Sequence, residues 1–247
     1  MTVFAIYKKE LRSYFTTPSG YIYIASFLAI SGFLFCLYTV QNALDGSTSD
    51  LPGYYKMLIY VMTVLLPVLT MRSFSEEKKQ RTEQLLLTSP VSLSGMVMAK
   101  FLAAYSVFTL TYLVTCFYYT IIGLYSNADE LVTTDVGTTM LGYSIAILLL
   151  GGAFIAIGIF ISSLTENQIT AAVVTIAVLL MLTVISLLTQ FVGIAPLREL
   201  IKFLSVHTRF INFTYGIFDF AALLYYACVM GVFLFLTVRV YEKRRWA

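Results

Sequence analysis

The chain has 247 residues, 59% hydrophobic and 12% charged, with a mean hydropathy of +0.85. Soluble domains carry about twice that share of charge and less apolar content, so a soluble globular protein is excluded and a polytopic membrane protein is expected. The net charge of +3 is small, and the placement of the charges says more than their sum. Cys36, Cys116 and Cys228 all fall in apolar segments without metal-ligand spacing, so neither a disulfide framework nor a metal site is expected. No cleavable signal peptide is evident, because Lys8, Lys9, Glu10 and Arg12 break the first apolar patch and the next is too long.

Residues 3–16 form an amphipathic elbow helix. Val3, Phe4, Tyr7, Leu11, Tyr14 and Phe15 recur at helical spacing on one face, and Lys8, Lys9, Glu10, Arg12 and Ser13 take the other. This pattern suits a helix lying in the membrane interface. Thr17-Pro18-Ser19-Gly20 then turns the chain into a first span at about 20–41, long enough to cross the hydrocarbon. A polar loop at 42–54 precedes a second span at about 55–73, in which Pro67 removes a backbone donor and is expected to kink the helix. The run at 74–90, FSEEKKQRTEQLLLTSP, is strongly polar and reads as a short helix. Glu77 and Arg81 stand four apart, as do Lys79 and Glu83, each pair supporting a helix by about 0.2–0.5 kcal/mol, and Pro90 stops it. Ser92 or Ser94 can cap the third span, about 98–124. An acidic loop at 125–138 leads to the fourth span, about 139–162, whose Gly151, Gly152, Ala153, Ala156 and Gly158 allow close helix approach. A short polar turn, 162–168, precedes the fifth span at about 169–192.

Residues 193–219 are too charged to span and read as two short helices dipping into the interface on the far side. The sixth span, about 220–238, ends in a basic tail with Trp246 as an interface anchor. With the amino terminus inside, only Lys56, Arg198, Lys202 and Arg209 among the basic residues fall outside. The positive-inside rule therefore places both termini, the 74–90 run and the 162–168 turn in the cytoplasm. The expected fold is all-α: one transmembrane domain over 1–247 with an elbow and six spans.

The sequence also narrows the chemistry. It lacks a GxxxxGK[ST] phosphate loop, so nucleotide binding of that kind is not expected in this chain. Its single histidine, His207, supports neither a metal cluster nor a convincing catalytic set with Asp219. No Asp, Glu, Lys or Arg sits at mid-membrane, where ionisable groups mark ion pathways, which argues against a proton-coupled carrier. Tyr105, Tyr112, Tyr118, Tyr119, Tyr225 and Tyr226 could line a cavity, or could form aromatic belts and interhelical hydrogen bonds, and the second reading is favoured for any one of them.

The stretch FSEEKKQRTEQLLLTSPVSLSGMVMAK resembles the cytoplasmic signature of ABC-2 type permeases. In that family an acidic-basic helix is followed by a Gly-Thr-x-Glu-x-Leu-Leu pattern, a Pro-Val or Pro-Ile pair and a downstream Lys. Glu77, Thr82, Leu86, Leu87, Pro90, Val91 and Lys100 match, while Arg81 stands where Gly is common and Gln84 where Glu is common, with Glu83 one position earlier. The segment FINFTYGIFDFAALLYY looks most like the gliding-motility-type branch. The resemblance implies the membrane subunit of an ATP-binding cassette exporter in a bacterial-type cytoplasmic membrane. Such a subunit pairs with a second permease, identical or different, and with a separate ATPase subunit that carries ATP and Mg; no nucleic acid is involved. It implies that Glu76, Glu77, Lys78, Lys79, Arg81, Thr82, Glu83, Gln84, Leu86 and Pro90 form the main ATPase-coupling contact. Thr165, Glu166 and Asn167 would form a smaller one, and Arg209, Tyr215 and Asp219 would lie on an extracellular gate segment. A membrane anchor or scaffold, and a self-contained carrier or channel, are the alternatives from other classes.

Overall fold

The computed structural model describes residues 3–40, 50–80, 92–118, 120, 136–185, 205–206, 210 and 220–246, and these are helical with short connections. The elbow α1 (Val3–Thr16) ends where the Thr16 and Thr17 hydroxyls donate to the Arg12 and Ser13 carbonyls. Pro18 then opens α2 (Pro18–Phe35), since its missing N–H costs nothing in a first turn. Gly20 lets this turn touch the elbow: a Cβ there would lie 1.9 Å from the Tyr14 carbonyl oxygen. A π-helical turn, Cys36–Val40, extends α2. Asp50 caps α3 (Leu51–Thr70) by accepting from the Gly53 amide at 2.9 Å.

One residue, Met71, separates α3 from the charged α4 (Arg72–Lys79). The first half of the polar run is thus a continuation of the second span rather than a detached loop. Ser73, Phe74, Ser75 and Lys78 on α4 are buried. Ser92 caps α5 (Leu93–Thr115), its hydroxyl accepting from the Gly95 amide. Next come α6 (Val136–Leu164) and α7 (Gln168–Val184), the latter capped by Asn167, and finally α8 (Phe220–Trp246), which carries the last span and the basic tail as one helix.

Five of these helices are long and apolar enough to cross a membrane, and the described part of α7 is a shorter apolar helix. The central helix is α6: 72% of its apolar stretch is buried, against 28% for α2 and 17% for α8. Small residues make this possible. A Cβ at Gly151 would lie 2.2 Å from the Phe108 ring, and one at Gly158 the same distance from the Thr70 hydroxyl oxygen. Backbone contact replaces side-chain contact at these points, as expected where lipid offers no hydrophobic drive for association.

The elbow departs from its expected orientation. Ile6 and Tyr14 are buried against the bundle, with Tyr7 and Leu11 packed beside them, while Phe4 is 71% exposed and Phe15 40%. Glu10, assigned to the polar face, turns inward. The reason is helical arithmetic: 6, 10 and 14 stand four apart and share one row, so burying Ile6 and Tyr14 carries Glu10 in with them.

Candidate functional site: a charged joint at one end of the bundle

Lys100 lies on the second turn of α5 and is 2% exposed. An ammonium has three donors, and all three find acceptors: the Glu10 carboxylate at 3.0 Å, the Glu77 carboxylate at 2.8 Å and the Ser73 carbonyl at 2.6 Å. The nitrogen also stands 4.9 Å from the centre of the Phe74 ring, within cation–π range. One cation thereby joins the elbow, α4 and α5. The charges are desolvated, so breaking the set costs far more than making it gains.

Serine hydroxyls tie α4 to the end of α6. The Ser162 hydroxyl donates to the Met71 carbonyl at 3.1 Å and accepts from the amides of Phe74 and Ser75, each at 3.2 Å. Those amides belong to the first turn of α4, where a helix lacks internal acceptors. The buried Lys78 ammonium donates to the Ser163 carbonyl, placing a cation at the carboxyl end of α6. Arg72 grips both oxygens of Glu76 at 2.8 Å and reaches the Ser19 hydroxyl of α2 at 2.8 Å. Tyr14 meets the Ser73 hydroxyl at 3.3 Å. Burial pushes its phenol up to about 12, so it is neutral there. The Phe74 ring packs on Tyr241 near the end of α8, with centroids 4.8 Å apart.

The candidate residues thus separate. Glu77 and Lys78 are bound inside the joint, and Glu76 is held by Arg72 at its edge. Lys79, Glu166 and Asn167 are exposed, and Thr165 is half-buried with its hydroxyl on the Ile161 carbonyl. Arg81, Thr82, Glu83, Gln84, Leu86 and Pro90 lie outside the described residues, as do Arg209, Tyr215 and Asp219. Near that last segment, Ser205, Val206 and Phe210 are described and buried; the Val206 carbonyl accepts from the Tyr226 hydroxyl, and Phe210 packs on Tyr143. Tyr112 donates to the Ser144 hydroxyl at 3.2 Å, an interhelical contact of the kind favoured from the sequence.

Sequence reasoning missed Glu10 and Ser73, and took Ser162 only as the start of the 162–168 turn and Lys100 only as a motif position. A signal was present for two of them. Lys100 is a lone charge inside an otherwise apolar helix, and Glu10 shares a row with Ile6 and Tyr14.

Fold and joint together define a polytopic α-helical membrane protein whose polar apparatus is gathered where the elbow meets the ends of several spans. Residues 4–244 match the model of the family described as ABC-2 family transporter protein, and the chain belongs to that family. It is a membrane subunit of an ABC transporter. The matching model is of the family and not of the gliding-motility-type branch. No curated protein matches the chain.

Proposed function

We propose that this chain is the membrane half of an exporter powered by a separate ATPase subunit, that it works as a pair of permease subunits, and that the charged joint transmits the ATPase's movement. The end bearing the joint is cytoplasmic in this reading, because Lys8, Lys9, Arg12, Lys79, Lys243 and Arg245 cluster there. ATP and Mg would be held by the partner.

The observation that carries the reading is the Ser162–Ser163 connection. Both candidate contacts, the run after α4 and the turn Thr165–Asn167, emerge from helix ends that hydrogen-bond to each other. A push on either would move α3, α4 and α6 together, and through Lys100 the elbow and α5 as well. Bistable packed elements moved as bodies are how small displacements reach distant sites.

The test uses the exposed residues, since reversing the buried ones would confound docking with stability. In the full complex, Lys79→Glu with Glu166→Lys should lower the ATPase stimulation that accompanies permease binding by about tenfold, equivalent to about 1.4 kcal/mol, with normal membrane insertion. Unchanged stimulation would remove the coupling assignment. An ATPase that never co-purifies with the wild-type chain would favour a carrier or channel.

A further inference from the structure

The inward turn of Glu10 has an electrostatic consequence for the opposite side of the elbow. Glu10 is the only carboxylate on α1, and Lys100 takes it into the joint. The outer side is left with Lys8 and Arg12, both exposed and four residues apart. Neither is in an ion pair among the described residues, whose pairs are Arg72–Glu76, Lys100 with Glu10 and Glu77, and Arg239–Glu242. Like charges at this spacing repel along a helix, and an anion seated between them relieves the repulsion. Lys9 is different, since it stands near Glu77: burial pushes that carboxyl upward, and Lys100 first and Lys9 last pull the other way.

Apolar groups frame the basic pair. Phe4 and Phe15 are 71% and 40% exposed, Phe4 standing four residues before Lys8 and Phe15 three after Arg12. Tyr21 and Ile22, on the first turn of α2, are exposed as well. A surface of exposed rings flanking an unopposed pair of cations matches one chemistry: a phosphate group with acyl chains beside it.

We propose that the outer face of the elbow binds the headgroup of an anionic glycerophospholipid, with Lys8 and Arg12 on the phosphate and Phe4 and Phe15 in the acyl boundary. A basic residue near an anionic leaflet gains about 1 kcal/mol, and the gain weakens with salt. Because the inner face of the same helix is bound to Lys100, a lipid held there steadies the joint from outside. This assignment does not depend on the ATPase reading.

The experiment uses the full chain, purified in nonionic detergent and offered equal amounts of phosphatidylglycerol and phosphatidylcholine, with retained lipid measured by native mass spectrometry. The wild type should retain phosphatidylglycerol over phosphatidylcholine by about tenfold. Lys8→Gln with Arg12→Gln should abolish the preference, whereas Lys243→Gln with Arg245→Gln in the tail should leave it. Equal retention of the two lipids by the wild type would overturn the proposal. So would an equal loss in the tail variant, which would make the effect one of overall charge. A preference that survives Lys8→Gln/Arg12→Gln while ATPase binding is lost would assign the face to the protein partner instead, and would also overturn it.

Discussion

At the end where the elbow meets α4, the helices are joined by directional polar contacts: Lys100 to Glu10, Glu77 and the Ser73 carbonyl, Arg72 to Glu76 and Ser19, and Ser162 to the joint backbone. At the opposite end, among the described residues, ring contacts predominate, beside hydrogen bonds such as that from Tyr226 to the Val206 carbonyl. Phe35 stacks on Tyr118 with centroids 4.8 Å apart, Tyr55 on Tyr143 at 4.3 Å, and Tyr54 packs edge-on against both Phe35 and Tyr55. The two kinds of contact fail differently. A buried ion set tolerates little displacement, because each charge was stripped of water and depends on its partners. Ring pairs, worth about 0.5–1.5 kcal/mol beyond their area, accept offset and tilted geometries, so such an end can repack in small steps. The first end resists relative displacement of its helices, and the second tolerates more of it.

The largest expected break in this contrast is Lys100→Met. It strands two carboxylates that keep only 17% and 16% exposure. Removing one partner of a buried pair costs about 3–5 kcal/mol, and the residual exposure sets the expectation near about 3 kcal/mol in thermal unfolding of the detergent-purified chain. Adding Glu10→Gln and Glu77→Gln to the same chain should recover most of the loss. A stable single variant would show that the triad is not under electrostatic tension.

Ser162→Ala comes next. Two buried amides lose their acceptor, and leaving a buried donor unmade costs about 1–3 kcal/mol. The effect should be local, with faster hydrogen exchange at Phe74 and Ser75 and little change in α5. Exchange rates like those of the wild type would mean that this hydroxyl does not hold α4.

The smallest effect belongs to the ring-packed end. The Tyr55 hydroxyl is buried without a hydrogen-bond partner among the described residues. Tyr55→Phe should therefore be neutral or stabilising, within about 1 kcal/mol. A clear loss of stability would show that the hydroxyl is engaged after all.

Much of this architecture was legible beforehand, for identifiable reasons. Spans announce themselves by length and composition, and Ser92 capped α5 as expected because a capping hydroxyl acts within one turn of its own chain. The small residues of α6 could be assigned to close approach without knowing what they approach; Phe108 and Thr70 proved to be the neighbours. The candidate contacts were half legible. Composition marked 74–90 as a polar run, yet α4 buries Phe74 and Lys78 while leaving Lys79 exposed. Nothing local distinguishes Lys78 from Lys79; the distinction comes from where the end of α6 arrives.

From its residues alone, this protein is a helical membrane protein with an interfacial elbow, a one-sided distribution of basic charge and a polar segment resembling that of ABC-2 permeases. Those properties depend on local periodicity, on transfer from water to lipid, and on motif spacing. Tertiary structure alone decided which charges are spent. Glu10 and Lys100 are 90 residues apart in sequence, and Lys78 and Ser163 are 85 apart. Helical periodicity states which residues share a face, but only the packing of one helix on another states which face is inside, and a charge's role follows from whether water still reaches it.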